Sequence, residues 1–98
     1  MIRTCEVSGV SLRVYGGHPF PFGASRTEAG INFSVVSAGA RSMSIVFFTT
    51  GVQEPWFELA LDPLQNRTGD VWHALVHGLP ENIRYGYRAD REPGHARH

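Results

Sequence analysis

Five histidines and a single cysteine are the residues of this 98-residue chain best suited to metal binding or nucleophilic catalysis. His73 and His77 share one face of a predicted strand, where four residues span about 13 Å. That separation is too long for two ligands of one zinc ion unless the strand bends. Cys5 falls in a predicted N-terminal tail, whereas a cysteine nucleophile needs a paired histidine. We therefore predict no metal site, no cofactor and no internal disulfide.

The acidic side chains are poor candidates for general acid–base catalysis, because they stand apart at predicted strand ends and turns. Serine is no better placed, since none lies in the Gly-x-Ser-x-Gly turn that exposes a nucleophile in hydrolases. The sequence also lacks the glycine-rich fingerprints that bind phosphates or dinucleotides. We predict that this chain alone is not an enzyme and has no catalytic residue. The separated carboxylates are Glu58, Asp62, Asp70, Glu81 and Asp90.

Two tryptophans have different predicted environments. Trp72 alternates in phase with Ala74 and Val76, which predicts a position in the core. Trp56 has the opposite parity to the apolar residues that follow it, including Phe57, and therefore falls on the polar face of its strand. An exposed indole is a flat apolar surface on which a sugar ring can stack. The alternative is that this tryptophan covers a sheet edge or packs on a neighbouring domain.

Three residues form the predicted sugar-binding set. Trp56 would stack against the sugar, while Glu58 and Arg84 would form hydrogen bonds with its hydroxyl groups. An apolar second face, with Val46, Phe48 and Leu75, is further expected to contact another domain.

Short alternating segments separated by turn residues dominate the chain and indicate strands. No window has the sustained 3.6-residue apolar period of a long helix. We predict an all-β fold, an immunoglobulin-like antiparallel β-sandwich. The sandwich would span residues 12–90, between an N-terminal tail (1–11) and a C-terminal tail (91–98). The predicted strands are residues 30–35, 42–49, 56–62, 71–77 and 83–88, with a sixth candidate at 12–15.

Length and charge exclude several functions. The chain fits one small domain and is too short for a (β/α)8 barrel, which needs about 250 residues. Its formal net charge is zero, so neither nucleic acid nor an anionic membrane is an expected partner. The longest apolar run, residues 45–48, is far shorter than the roughly 20 residues that cross a bilayer. The N-terminus has no apolar signal-peptide segment.

Three stretches together resemble the N-terminal module of isoamylase-type starch and glycogen debranching enzymes. The first reads G-H-P-F-P-F-G-A-S over residues 17–25 and continues as G-I-N-F-S-V-V-S-A over residues 30–38. The second, residues 61–73, contains N-R-T-G-D-V-W-H and is most similar to plant-type isoamylases. The third, Y-G-Y-R-A-D over residues 85–90, matches the motif that closes the module, but Arg91 replaces the glycine that usually follows. The resemblance covers residues 15–90.

The resemblance implies a β-sandwich of carbohydrate-binding module family 48 that precedes a (β/α)8 barrel of glycoside hydrolase family 13. The barrel of such enzymes hydrolyses α-1,6-glucosidic bonds. The chain is expected to be a fragment of a debranching enzyme, a truncated gene product or a free-standing relative. The implied function is non-catalytic binding or positioning of α-glucan in starch or glycogen metabolism. The alternative is a structural domain that docks on the barrel without binding sugar. A plastid is the implied compartment, with the cytoplasm as the alternative.

Overall fold

Two antiparallel sheets make up the fold. The computed structural model describes residues 2–91, and within them there is no helix with the length and hydropathy needed to span a bilayer. Nine strands occur in this part of the chain: β1 (Arg3–Val7), β2 (Val10–Tyr15), β3 (Gly23–Thr27), β4 (Gly30–Val36), β5 (Ala40–Phe48), β6 (Phe57–Ala60), β7 (Arg67–Thr68), β8 (Val71–His77) and β9 (Arg84–Arg91).

The larger sheet has the order β1-β2-β8-β4-β3, with β7 also paired to β8, and the smaller sheet has the order β6-β5-β9. Every pairing between these strands is antiparallel. The predicted all-β antiparallel sandwich is therefore confirmed. β5 is the central strand of the small sheet, and residues on both of its faces are buried, with Phe47 0% and Val46 4% exposed.

The core lies between the two sheets and contains one alternating face from each central strand. Trp72 and Phe33 are at most 1% exposed on the six-stranded sheet, and Phe47 and Ile45 are fully buried on the three-stranded sheet. The rings of Phe33 and Phe47 meet edge to face, with centroids 5.5 Å apart. The predicted core position of Trp72 is confirmed.

The predicted N-terminal tail is wrong over residues 3–7, which form β1. This strand pairs with β2 from Arg3 opposite Val14 to Val7 opposite Val10. The two turn residues between the strands, Ser8 and Gly9, both have positive φ (49° and 81°). Those angles are typical of the tight turns whose twist matches a hairpin. The domain boundary at residue 12 thus cuts a hairpin, and residues 92–98 of the predicted C-terminal tail lie outside the described residues.

Candidate functional site

The three-stranded sheet places two predicted sugar-binding residues on the same face. Glu58 of β6 is opposite Val46, and Arg84 of β9 is opposite Phe48. Val46 and Phe48 alternate along β5 with Phe47, whose side chain is buried in the core. Glu58 and Arg84 therefore lie on the side of this sheet that points away from the other sheet, which we call the outer face.

Glu58 forms an ion pair that crosses the outer face. Its carboxylate Oε1 accepts a hydrogen bond from Nη1 of Arg88 at 2.5 Å, which connects β6 to β9 over the central strand β5. Since Arg88 is opposite Ser44 and Glu58 is opposite Val46, the pair lies over this part of β5. Val46 is consequently only 4% exposed.

Arg84 connects the outer face to the loop between β5 and β6. Its Nη2 donates a hydrogen bond to the carbonyl oxygen of Val52 at 3.1 Å. Its guanidinium carbon lies 5.7 Å from the centre of the Phe48 ring, within cation–π distance. These two contacts hold an exposed, planar set of hydrogen-bond donors over the end of β5.

Trp56 does not have the fully exposed environment that parity predicts. Its backbone N–H donates to the carbonyl of Phe47 at 2.7 Å, although Phe47 is already opposite Phe57. Trp56 and Phe57 therefore both lie opposite Phe47, as in a β-bulge. This interrupts the alternation of buried and exposed side chains just before β6 begins. Trp56 is half-buried, packs against the core, and meets the ring of Phe57 edge to face with centroids 6.4 Å apart.

The expected second apolar face is also wrong as a single surface. Val46 and Phe48 belong to the three-stranded sheet, whereas Leu75 lies on β8 of the other sheet, opposite Asn32. The side chain of Leu75 lies on the same face of the sheet as those of Asn32 and His73, and this face points away from the core. The two apolar sets therefore lie on opposite sides of the sandwich.

Several residues of the motifs that carry the family resemblance hold one segment of the chain in place. We call this segment, residues 16–22, the strap. The strap connects β2 to β3 and crosses β8 and β4 on the outer side of the six-stranded sheet. Asn32 bonds both backbone groups of His18, accepting from its N–H at 2.8 Å and donating to its carbonyl at 2.9 Å. Ser34 donates to the carbonyl of Pro19 at 2.6 Å. Asn32 and Ser34 are both at most 2% exposed.

His73 has a role that sequence reasoning missed. Its Nδ1 lies 2.7 Å from the carbonyl oxygen of Gly16, which only accepts, so Nδ1 carries the proton. Its Nε2 lies 2.8 Å from the hydroxyl of Thr68. Being 5% exposed, this histidine holds the start of the strap and is not available to a metal. Within residues 2–91, no three His, Cys, Asp or Glu side chains gather into a group that could hold a metal ion.

An exposed aromatic pair was also not singled out from the sequence. Phe20 and Phe22 are 64% and 55% exposed on the strap, with ring centroids 5.1 Å apart. The sequence signal for this exposed pair was the repeated Pro-Phe of residues 19–22, which places four apolar residues in a row before the short edge strand β3. Neither ring contributes to the core.

The chain is similar to known proteins over most of its length. Residues 21–98 match the family model described as carbohydrate-binding module 48 (isoamylase N-terminal domain). Isoamylase 1, chloroplastic, of Oryza sativa is 46% identical over 85 residues, which cover 84% of this chain and 11% of that protein. Isoamylase SU1, chloroplastic, of Zea mays is 43% identical over 86 residues, with the same coverage. A glycogen debranching enzyme of Pectobacterium carotovorum is 36% identical over 74 residues, which cover 76% of this chain and 10% of that enzyme.

The fold has a similar counterpart among solved structures. The pullulanase of Paenibacillus barengoltzii, in complex with maltohexaose and α-cyclodextrin, superposes with a TM-score of 0.60 at 19% identity. The match covers 79% of this chain and 12% of the pullulanase. The chain spans about a tenth of the length of the relatives it matches. From the family match and these identities, the chain belongs to the carbohydrate-binding module 48 family, the N-terminal domain family of isoamylases.

Proposed function

We propose that this chain is the non-catalytic α-glucan-binding module of a debranching glycoside hydrolase that acts on α-1,6-glucosidic bonds in starch or glycogen. The observation that carries the proposal is the family match over residues 21–98. The relatives named isoamylase and glycogen debranching enzyme support the parent activity, and a catalytic barrel would belong to the remaining nine-tenths of such a protein. The chloroplastic plant relatives favour a plastid, with the cytoplasm as the alternative.

The outer face of the three-stranded sheet has suitable chemistry for this function. Phe48, half-buried on this face, offers apolar surface at one end of it, and the half-buried indole of Trp56 is the second aromatic ring of the proposed site. Arg84, Arg88 and Glu58 supply donors and acceptors for sugar hydroxyl groups beside them. Because the arginines are already held by protein contacts, less side-chain entropy is lost when a ligand binds.

Affinity electrophoresis in a native gel that contains amylopectin tests the proposal. We expect the wild-type chain to migrate more slowly than in a gel without polysaccharide. Trp56→Leu keeps an apolar side chain against the core but lacks the flat indole. It should be retarded less, with a melting temperature within a few degrees of the wild type. Leu64→Ala alters an apolar residue that is 89% exposed in the loop between β6 and β7, and it is the matched control. A wild-type chain that runs equally fast in both gels contradicts glucan binding.

A second candidate function is docking on the catalytic barrel, and the exposed Phe20–Phe22 pair favours it. Two large apolar rings on a strap held by buried hydrogen bonds form a fixed apolar surface, which is typical of a protein interface.

The docking function predicts different effects of one double substitution in two settings. Phe20→Ser with Phe22→Ser should leave the melting temperature of the isolated chain nearly unchanged, because neither ring is part of the core. The same change in an intact debranching enzyme that carries this module should lower the melting temperature of the enzyme. Equal effects in both settings would argue against a domain interface at this pair.

A further inference from the structure

A cleft of about 280 Å³ opens between the edge of the six-stranded sheet and the start of β9. Arg26 of β3 and Phe33 of β4 line one side, and Asn82 and Tyr85 line the other. Tyr85 is opposite Phe47 in the small sheet, so its side chain has the parity of the core face. Arg84, the preceding residue, points to the outer face. The cleft is therefore a separate place from the site proposed above.

The aromatic wall of the cleft is held in position. Tyr85 is 40% exposed, although it is the second residue of β9, a strand whose inner face packs on the core. Its ring meets Phe33 edge to face with centroids 5.0 Å apart, and it meets Tyr87 in the same way at 5.6 Å. An exposed ring that two neighbours orient is a preformed stacking surface.

The polar groups of the cleft are open to a ligand. Arg26 and Asn82 are exposed, and neither side chain has a hydrogen-bond or ionic partner in the described part of the chain. The backbone of Asn82 is fixed, because its carbonyl accepts a hydrogen bond from the hydroxyl of Thr50 at 2.8 Å. The amide supplies both donors and an acceptor, and the guanidinium supplies a planar fork of donors.

A sugar unit presents an apolar face of C–H groups and an edge of hydroxyl groups, which an aromatic ring and planar polar side chains match. The cleft is close to the lower bound of small-ligand pockets, roughly 300 Å³, so it suits a short ligand rather than a long chain segment. We propose that this cleft binds one or two glucosyl units of an α-glucan, as a second contact besides the outer face. This inference rests on the proposed glucan-binding function.

Titration of the ¹⁵N-labelled 98-residue chain with maltotriose, followed by NMR, tests the cleft directly. The expected result is a saturable shift of the Asn82 side-chain amide and of the backbone amides of Ile83 and Tyr85. Tyr85→Leu should weaken the affinity measured at these signals roughly two- to tenfold, because it removes the ring. Tyr85→Phe keeps the ring and should retain wild-type affinity. Asn82→Gly accepts the positive φ of 62° and should also weaken binding.

The indole signal of Trp56 separates failure of this inference from failure of the proposed function. If the Trp56 signal shifts while the cleft signals stay still, the cleft proposal is overturned and glucan binding by the outer face stands. If neither set moves up to the solubility limit of maltotriose, both proposals are overturned. Saturable shifts at the cleft that Tyr85→Leu weakens and Tyr85→Phe retains support it, provided that both variants keep the wild-type melting temperature.

Discussion

Trp72 is the largest fully buried side chain of the sandwich. It faces Val35 across the β4–β8 ladder, and the guanidinium of Arg67 lies 4.7 Å from its ring centre. Trp72→Ala should lower the free energy of unfolding by about 3–5 kcal/mol, the usual range for deleting a large buried aromatic side chain. Trp72→Phe should lower it less, since a ring remains and the indole N–H has no hydrogen-bond partner within residues 2–91. Urea unfolding measures both, and a loss under about 1 kcal/mol for Trp72→Ala would refute the core assignment.

Tyr87 links stability to pH. Burial, together with the neighbouring Tyr85, raises the pKa of Tyr87 from 10.0 to about 12. The folded state thus keeps the phenol proton between pH 10 and 12, whereas the unfolded state loses it. The stabilisation is complete below pH 10 and falls as the pH rises towards 12. The free energy of unfolding, measured in urea at pH 9 and at pH 11, should therefore fall less between these two pH values for Tyr87→Phe than for the wild type. Parallel pH profiles of the two proteins would contradict the raised pKa.

The same substitution tests a buried polar group at neutral pH. The hydroxyl of Tyr87 is buried without a hydrogen-bond partner in the described residues. Leaving such a group unsatisfied costs about 1–3 kcal/mol, so its removal should leave the stability unchanged or raise it. Clear destabilisation at pH 7 would show that the hydroxyl has a partner.

At the residue scale, the sequence was sufficient for side chains that follow regular alternation. Trp72 was placed correctly because β8 is regular from Val71 to His77. Trp56 was not, because the two-against-one pairing at Phe47 interrupts the alternation just before β6. A bulge has no reliable signal in residue types, so parity alone could not predict the half-buried indole.

Among the elements, the strap contains a glycine at which a side chain would not fit. Gly17 has a φ of +76°, and a Cβ there would come within 2.7 Å of backbone atoms of Ala74 and Leu75. Gly17→Ala should therefore displace the strap or the β8 backbone and lower the melting temperature strongly. Gly23→Ala is the matched control, because Gly23 also has positive φ (+90°) but a Cβ would meet no atom within 4 Å in the described structure.

Gly23→Ala should lower the free energy of unfolding only by the cost of the left-handed backbone conformation, about 1–2 kcal/mol. Thermal unfolding of both variants by circular dichroism gives the comparison. If the two substitutions lower the melting temperature equally, the strap is not packed on β8 as closely as described.

The predictability of each element follows from its position in the sheets. Strands with one or two buried faces, such as β4, β5 and β8, were predicted close to their observed bounds. The edge strand β3 (G-A-S-R-T) has no apolar alternation, and its conformation depends on pairing with β4. The strap was recognised only as a family motif, because the hydrogen bonds of Asn32, Ser34 and His73 join residues far apart in the sequence.

On the scale of the whole molecule, the two outer sides of the sandwich differ. The strap crosses the outer side of the six-stranded sheet, where Asn32, Ser34 and His73 are buried beneath it. The outer face of the three-stranded sheet has no such crossing within residues 2–91, and it carries the exposed side chains of Arg84 and Arg88. This asymmetry is the structural reason why we propose glucan binding at the smaller sheet.

The indole N–H signals of the two tryptophans provide the most direct test of glucan binding by the outer face. In an NMR titration with maltohexaose, we predict a saturable shift of the Trp56 signal and no shift of the Trp72 signal, because Trp72 is fully buried. Trp56→Leu and Trp72→Phe assign the two signals. A Trp56 signal that stays unchanged at the highest maltohexaose concentration, in a chain that remains folded, would contradict the account.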